Sequence, residues 1–122
     1  AVGTMKGAAL EDEAIENEVD SNVIKENKKQ HILEQRWGTI KPVFAVCSGG
    51  LHPGMTAELV KLMGKNIIAQ YGGGCHGHPD GTRAGAKAVK QSVEAVMENK
   101  TLKEYSKTHE ELAKALDLWG EI

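Results

Sequence analysis

Two glycine clusters, each at the end of a short apolar run, constrain the fold of this chain most. The sequence Ser-Gly-Gly at 48–50 follows the run at 43–47, and Gly-Gly-Gly at 72–74 follows the run at 67–71. A helical pattern begins within a few residues of each cluster. Strand, glycine turn and helix in that order are typical of an α/β protein, which exposes backbone N–H groups at the carboxyl ends of its strands. Because such groups suit a phosphate, two of these turns on successive strands could bind one phosphate between them.

Composition sets limits on the class of protein. The 122 residues suffice for one domain with a modest core, and the net charge of −2 does not indicate a nucleic acid or an anionic membrane as partner. Aromatic residues make up only 4% of the chain, too few for a surface that stacks single-stranded nucleic acid. No apolar run approaches the roughly 20 residues of a membrane span. With no secretory signal, Cys47 and Cys75 are expected to be reduced thiols, and the expected location is the cytoplasm.

The first third of the chain is the least regular. Residues 10–27 suit an acidic surface helix, and residues 27–41 suit a long polar connection. Three apolar residues in that connection, Ile32, Leu33 and Trp37, predict a buried anchor.

The remainder alternates strands and helices. The run at 43–47 is continuously apolar and rich in β-branched residues, as expected for a strand covered on both faces, and 67–71 predicts a second strand. Between them we predict a helix with Thr56 as N-cap and Gly64 at its end.

Two further helices are expected after the second strand. The first runs from Thr82 or Arg83 to Glu98, with its small residues suited to close packing against the sheet. Thr101 and Glu104 form a capping box at the start of a terminal helix over 101–119. The whole pattern predicts an α/β fold with two parallel strands, an incomplete sheet with both edges open. In an eight-stranded α/β barrel, the loops after strands 7 and 8 are the usual phosphate site, and the spacing here suits consecutive barrel strands.

Other polar residues have competing interpretations. Cys75, His76 and His78 place three candidate metal ligands close together in sequence. A structural zinc site needs two separated ligand pairs, so loop capping or substrate binding is favoured for the histidines. Lys6, in a glycine-flanked loop, is either a solvated lysine or part of a mobile lid that reaches an anionic substrate. Arg83 lies near a predicted helix N-terminus, an unfavourable place for a cation unless an anion is nearby. Ser48 lacks the surroundings of a hydrolase nucleophile.

The sequence around the two turns resembles a known family. The segments 46–54, Val-Cys-Ser-Gly-Gly-Leu-His-Pro-Gly, and 70–79, Gln-Tyr-Gly-Gly-Gly-Cys-His-Gly-His-Pro, resemble the carboxyl-terminal part of the ribulose-bisphosphate carboxylase (RuBisCO) large subunit, and the archaeal type in particular. Gly-Thr-Arg-Ala-Gly-Ala at 81–86 supports the resemblance, which runs from about Trp37 to Ile122 and more loosely back to Val2.

The resemblance implies a fold and a set of site residues. The chain would be the carboxyl-terminal portion of a (β/α)8 TIM barrel, with 43–47 as strand 7 and 67–71 as strand 8. Gly50, Gly72 and Gly73 match the backbone donors that hold one phosphate of ribulose 1,5-bisphosphate. Ser48 and Gly49 match positions that contact the substrate's carbon chain and its other end.

The resemblance also divides the chain into segments. Residues 1–9 resemble the mobile loop after strand 6, residues 10–41 a helix and connection, 43–98 the strand–helix–strand–helix unit, and 101–119 the terminal helix. With a small deletion Lys6 matches the loop lysine that steadies the developing carboxylate, whereas an alignment without a gap places Thr4 there. The histidine expected just before the loop has no counterpart.

The implied activity depends on parts that this sequence does not contain. The family's Mg2+ ligands, a carbamylated lysine, an aspartate and a glutamate, have no counterpart in this chain, so no metal ligand is assigned and no activity of the chain alone is expected. The intact enzyme would add CO2 to ribulose 1,5-bisphosphate and give two 3-phosphoglycerates, a carbon–carbon lyase reaction. Implied partners are the sugar bisphosphate, the remainder of the large subunit, and a second copy in a homodimer or higher oligomer. A fragment of a RuBisCO-like enolase or isomerase, or a truncated non-catalytic product, remains an alternative.

Overall fold

A computed structural model of the chain describes residue 18 and residues 21–41 and 43–122. The first described element is a small antiparallel hairpin of β1, Val23–Ile24, and β2, Gln35–Arg36. The side-chain oxygen of Asn27 accepts hydrogen bonds from the N–H groups of Lys29 and Gln30, and this tight turn reverses the chain.

The hairpin corrects two expectations for the first third. The helix predicted over 10–27 is wrong at Val23 and Ile24, because the turn after them returns the chain and pairs these β-branched residues with a second strand. Glu18 is helical, and the other residues of that prediction before Ser21 lie outside the described residues. The buried anchor is also wrong at Leu33 and Trp37, whose side chains are 74% and 40% exposed, whereas Ile32 is half-buried.

A parallel pair of strands forms the second sheet, as predicted. Strand β3, Ala45–Cys47, pairs with β4, Ile67–Ala69, with Ala45 opposite Ile67 and Cys47 opposite Ala69. Both strands are shorter than the predicted runs 43–47 and 67–71. The N–H of Gln70 still donates to the carbonyl of Cys47 at 2.9 Å.

The connection between these strands is a helical crossover. A 3-10 turn at Pro53–Met55 leads into helix α1, Thr56–Met63, and Gly64 ends that helix with φ at +74°. Thr56 is not the N-cap, because Pro53 starts the helical turn three residues earlier and Met55 takes the cap position.

Four helices follow the second strand. They are α2, Gly73–His76; α3, Thr82–Met97; α4, Leu102–Ser106; and α5, Glu110–Trp119. The predicted start and end of α3 are confirmed to within a residue, and the Thr101–Glu104 capping box is present with both reciprocal hydrogen bonds.

The single terminal helix predicted over 101–119 is wrong, because it is broken between α4 and α5. In a continuous helix the carbonyl of Tyr105 would accept only from the backbone N–H of residue 109. Here the side chains of His109 and Thr108 bond that carbonyl instead, at 2.8 and 3.4 Å, and His109 has extended backbone angles.

Two small cores hold these elements together. One lies between the parallel sheet and α1 and contains Cys47, Leu51, Leu59 and Met63; the other joins α3, α4 and α5 through Ala95, Leu102, Tyr105 and Leu112. The prediction that the first strand is covered on both faces is wrong for the described residues. Burial alternates along each strand, and Val46 and Ile68 are 54% and 49% exposed on the uncovered face.

Candidate glycine-turn site

The first glycine turn follows β3 directly. Gly49 and Gly50 have φ of +91° and +71°, the left-handed region that glycine enters without a steric penalty. Ser48 and Gly49 are half-buried, Gly50 is exposed, and the next residue, Leu51, is buried in the core under the sheet. The turn is therefore anchored on one side by Leu51 and presents Gly50 to solvent.

The second glycine turn follows β4 and is itself the start of a helix. Gly72 is the N-cap of α2, and its carbonyl accepts hydrogen bonds from the N–H groups of Cys75 and His76 at 3.0 Å each. The sequence indicated an open turn here and missed this short helix, since three consecutive glycines have the lowest helical propensity of any tripeptide without proline.

The two turns touch each other at one glycine. A Cβ atom on Gly74 would lie 2.2 Å from the carbonyl oxygen of Leu51 and 2.5 Å from the Cα of His52, so no larger residue fits. In contrast, a Cβ on Gly72 or Gly73 would have no atom within 4 Å. Gly74 thus joins the turns, while its two predecessors face open space.

The exposed glycines carry unused backbone donors. Within the described part of the chain, no hydrogen bond takes up the N–H groups of Gly50, Gly72 or Gly73. All three residues are exposed, and they lie on two turns that are in contact through Gly74. Unused backbone N–H groups on exposed turns are donors of the kind that an anion accepts.

His52 is a residue of this region that the sequence analysis did not single out. Its ring stacks on Trp119, with centroids 5.6 Å apart and an angle of 21° between the planes. Nδ1 is buried and has no hydrogen-bond partner among the described residues. Burial lowers the pKa of His52 below its usual range, which favours a neutral ring. Because Trp119 is far from His52 in sequence, no local sequence signal predicts such a stack.

The histidines after the second turn cap loops. His78 is buried, and its Nδ1 accepts from the N–H of Asp80 while Nε2 lies 2.9 Å from the carbonyl oxygen of Glu111. The carbonyl can only accept, so Nε2 carries the proton. Nδ1 of His76 bonds the hydroxyl of Thr82 at 3.1 Å. Among the residues that the structure describes, no three histidine, cysteine or acidic side chains are grouped to hold a metal ion.

Some of the remaining residues named from the sequence lie outside the described residues, and the others are placed by the structure. Lys6 and its alternative Thr4 lie outside the described residues, so their match to a mobile-loop lysine stays a prediction. Arg83 is exposed in the first turn of α3, the helix that follows the second glycine turn and α2 in sequence. Cys47 is buried beneath the sheet, and both it and Cys75 are thiols.

A buried chain of hydroxyls ties the second turn to the helices. Tyr71 precedes Gly72, and its hydroxyl lies 2.8 Å from that of Thr56, which lies 2.8 Å from the hydroxyl of Ser92. Ser92 donates to the carbonyl of Val89 at 2.7 Å. Since each hydroxyl has one proton, Thr56 must donate to Ser92 and Tyr71 to Thr56. Burial raises the pKa of Tyr71, in keeping with a phenol that stays protonated.

Comparison with known proteins identifies the relatives of this chain. The family model described as the catalytic domain of the ribulose bisphosphate carboxylase large chain matches residues 1–119. A ribulose bisphosphate carboxylase of Methanocaldococcus jannaschii is 45% identical over 118 residues, which cover 97% of this chain and 28% of that relative.

Solved structures agree with the sequence matches. A crystal structure of an archaeal RuBisCO superposes with a TM-score of 0.88 at 41% identity, covering 99% of this chain and 29% of the other. A dimeric archaeal RuBisCO from Hyperthermus butylicus gives a TM-score of 0.81 at 50% identity, covering 87% of this chain and 25% of the other. The chain therefore spans less than a third of the length of these relatives. Among the described residues, none of the helices has the length and apolar character needed to cross a membrane.

Proposed function

Because this chain belongs to the ribulose bisphosphate carboxylase large-chain family, in its catalytic domain, we propose that it supplies the phosphate-binding end of a RuBisCO active site. In this proposal β3 and β4 are strands 7 and 8 of the family's (β/α)8 barrel. Gly50, Gly72 and Gly73 donate backbone N–H groups to one phosphate of ribulose 1,5-bisphosphate, while Ser48 and Gly49 contact the rest of the substrate.

One observation carries the proposal. Three exposed glycines with unused N–H groups lie on two turns that touch, and the space beside Gly72 and Gly73 is empty where a side chain would stand. A tetrahedral anion accepts several donors at once, and charge-assisted hydrogen bonds of this kind are the strong ones. The empty space lets the anion approach the backbone closely.

The uncovered face of the sheet supports a partner for this chain. Val46 and Ile68 are about half exposed, and both edges of the two-stranded sheet lack a neighbouring strand among the described residues. Exposed apolar faces and unpaired edges are where further strands and helices pack. We propose that the remainder of a large chain covers this face, and that the assembly is a homodimer or a higher oligomer, as the dimeric relative suggests.

The metal chemistry lies with that remainder. Mg2+ is implied by the family, but the described residues contain no cluster of ligands that fits it. The phosphate site needs no metal ligand from this chain, since its donors are backbone N–H groups. In the assembled enzyme, addition of CO2 to ribulose 1,5-bisphosphate, followed by hydration and cleavage of the carbon–carbon bond, would give two 3-phosphoglycerates, and Lys6 would be the candidate for the mobile-loop lysine.

A binding titration tests the phosphate site. We expect inorganic phosphate and ribulose 1,5-bisphosphate to shift the amide resonances of Gly50, Gly72 and Gly73 in an NMR spectrum of the isotope-labelled chain. Gly73→Ala places a methyl group in the empty space and should weaken phosphate binding about tenfold, roughly the effect of losing one charge-assisted hydrogen bond. Shifts centred on other residues, or equal affinity in the variant, would contradict the proposal.

An activity assay tests the wider assignment. The chain alone should not fix CO2, whereas the chain mixed with a large-chain fragment that carries the magnesium ligands should release 3-phosphoglycerate. If the mixture enolises or isomerises a sugar phosphate without fixing CO2, the carboxylase assignment is wrong and the phosphate site stands.

A further inference from the structure

Trp119 lies at the end of α5 and contacts the segment that follows the first glycine turn. Its indole stacks on the ring of His52, two residues after Gly50, with centroids 5.6 Å apart. His52 Nδ1 has no hydrogen-bond partner among the described residues, so packing rather than hydrogen bonding at that nitrogen fixes the ring. Losing the indole would therefore remove the aromatic stack from the His52 ring.

The same indole borders the segment that follows the second turn. A Cβ atom on Gly77, directly after α2, would lie 3.4 Å from Cζ2 of Trp119. The two turns are also joined at Gly74, which packs on the backbone of Leu51 and His52. One side chain thus touches both chain segments that leave the candidate phosphate site.

The residues after Trp119 contact the backbone of Gly54, in the 3-10 turn that follows the first glycine turn. A Cβ atom on Gly54 would lie 1.9 Å from the carbonyl oxygen of Gly120, so the two backbones are in close contact. The N–H of Ile122 donates to the carbonyl of Gly54 at 3.2 Å. Gly120 has φ at +80°, which turns the chain after the helix toward this contact. These contacts pack the end of α5 against the 3-10 turn at Pro53–Met55.

We propose that Trp119 is a positioning residue that sets the spacing between the two glycine turns and thereby the geometry of their N–H groups. The effect on ligand affinity rests on the proposed phosphate site, whereas the effect on turn geometry does not. Trp119 itself does not contact the phosphate. It acts through His52 on the first turn and through Gly77 on the second.

The test compares four forms of the 122-residue chain by amide NMR and by phosphate titration. Trp119→Leu keeps apolar bulk and removes the stack, Trp119→Phe keeps an aromatic ring, and Leu118→Ala is a matched control, since Leu118 is its neighbour on α5 and is 51% exposed. Without ligand, the amide resonances of Gly50, Gly72 and Gly73 should move in Trp119→Leu and stay near their original positions in the other two variants.

Measurements of phosphate affinity and of thermal stability distinguish a positioning role of Trp119 from a purely stabilising one. Phosphate affinity measured below the melting temperature should fall about tenfold in Trp119→Leu, less than about threefold in Trp119→Phe, and not at all in Leu118→Ala; tenfold corresponds to about 1.4 kcal/mol, the scale of one aromatic stack. A lower Tm with unmoved glycine resonances and unchanged affinity would overturn the proposal.

Two further outcomes are decisive. If Trp119→Leu does not fold, His52→Leu removes the stack from the other side and must move the same glycine resonances, or the proposal fails. If the unmodified chain binds no phosphate, the proposed function is lost, and the ligand-free resonances alone decide whether Trp119 spaces the turns.

Discussion

The backbone of Gly74 packs on the carbonyl oxygen of Leu51, so closely that a Cβ atom at residue 74 would lie 2.2 Å from that oxygen. Real Cβ atoms do not approach backbone oxygens to this distance, and either turn would have to move to admit a side chain. The contact packs one turn directly on the other, whereas a Cβ atom at Gly72 or Gly73 would meet no atom within 4 Å.

Gly74→Ala is therefore expected to destabilise the chain by about 3 kcal/mol, the upper range for overpacking a tight site. Gly73→Ala is the matched control, because its methyl group would meet no atom within 4 Å and its backbone is helical. Urea unfolding followed by circular dichroism measures both. Equal loss of stability in the two variants would show that the Gly74 contact is not what joins the turns.

The hydroxyl chain from Tyr71 through Thr56 to Ser92 gives a second prediction. Thr56→Val keeps the shape of the side chain but removes the central hydroxyl, so the Tyr71 proton loses its acceptor and Ser92 loses its donor. We expect a loss of about 2 kcal/mol in the free energy of unfolding, the scale for leaving buried polar groups unpaired. Thr56→Ser keeps the hydroxyl and should recover most of the lost stability. If Thr56→Ser is as unstable as Thr56→Val, the hydroxyl chain does not contribute this stability.

Glu111 predicts a pH dependence of stability. Hydrogen bonds from Lys87 and Gln91 lower the pKa of Glu111 from 4.5 to about 2. Because the folded pKa is the lower one, the stabilisation is fully present above about pH 4.5 and is lost as pH falls toward 2. Acid titration followed by circular dichroism should show a smaller loss of stability in this window for Glu111→Gln. Glu110→Gln, on the same helix and paired with Lys114, should follow the unmodified chain.

The capping box at the start of α4 gives a fourth prediction. The hydroxyl of Thr101 accepts from the N–H of Glu104 at 3.1 Å, and the Glu104 carboxylate accepts from the N–H of Thr101 at 3.2 Å. Thr101→Ala should cost about 1 kcal/mol, the usual effect of losing an N-cap. The control is Lys103→Ala, an exposed position in the same helix. Thermal unfolding that leaves the two variants equally stable would show that the cap contributes nothing.

Local sequence chemistry predicted the end of α1, the start of α4 and the strand pairing. Gly64 ends α1 because glycine adopts positive φ readily, and Thr101 begins α4 because its hydroxyl replaces a missing backbone acceptor. The parallel pairing of β3 and β4 follows from two apolar runs joined by a helical pattern. These features depend on neighbours in sequence, which a pattern can show.

Features that depend on distant partners were not predicted. On α3 the apolar residues Ala86, Val93 and Met97 are exposed, whereas the buried positions include Gly85 and Ser92. Position 85 requires glycine because a Cβ atom there would lie 1.9 Å from the carbonyl oxygen of Cys75. Ser92 is buried with its hydroxyl hydrogen-bonded to that of Thr56. Apolar periodicity gives no sign of either partner.

The candidate site likewise has features that the sequence predicts and features that it does not. The glycine turns and the proposal of an anion site followed from sequence, because two glycine clusters follow successive predicted strands. The stack of His52 on Trp119 did not, since it joins residues far apart in the chain. The loop-capping role favoured for the histidines is the one that His78 takes, with partners at Asp80 and Glu111.

The crossover from β3 to β4 has a kinetic consequence. One 3-10 turn and one eight-residue helix join the paired strands, so forming the sheet closes only a short loop. The chain entropy lost in closing a loop grows with its length, and folding speeds up as contacts become more local. We therefore expect the two glycine turns to reach their mutual contact early in folding, before elements that are more distant in sequence pack beside them.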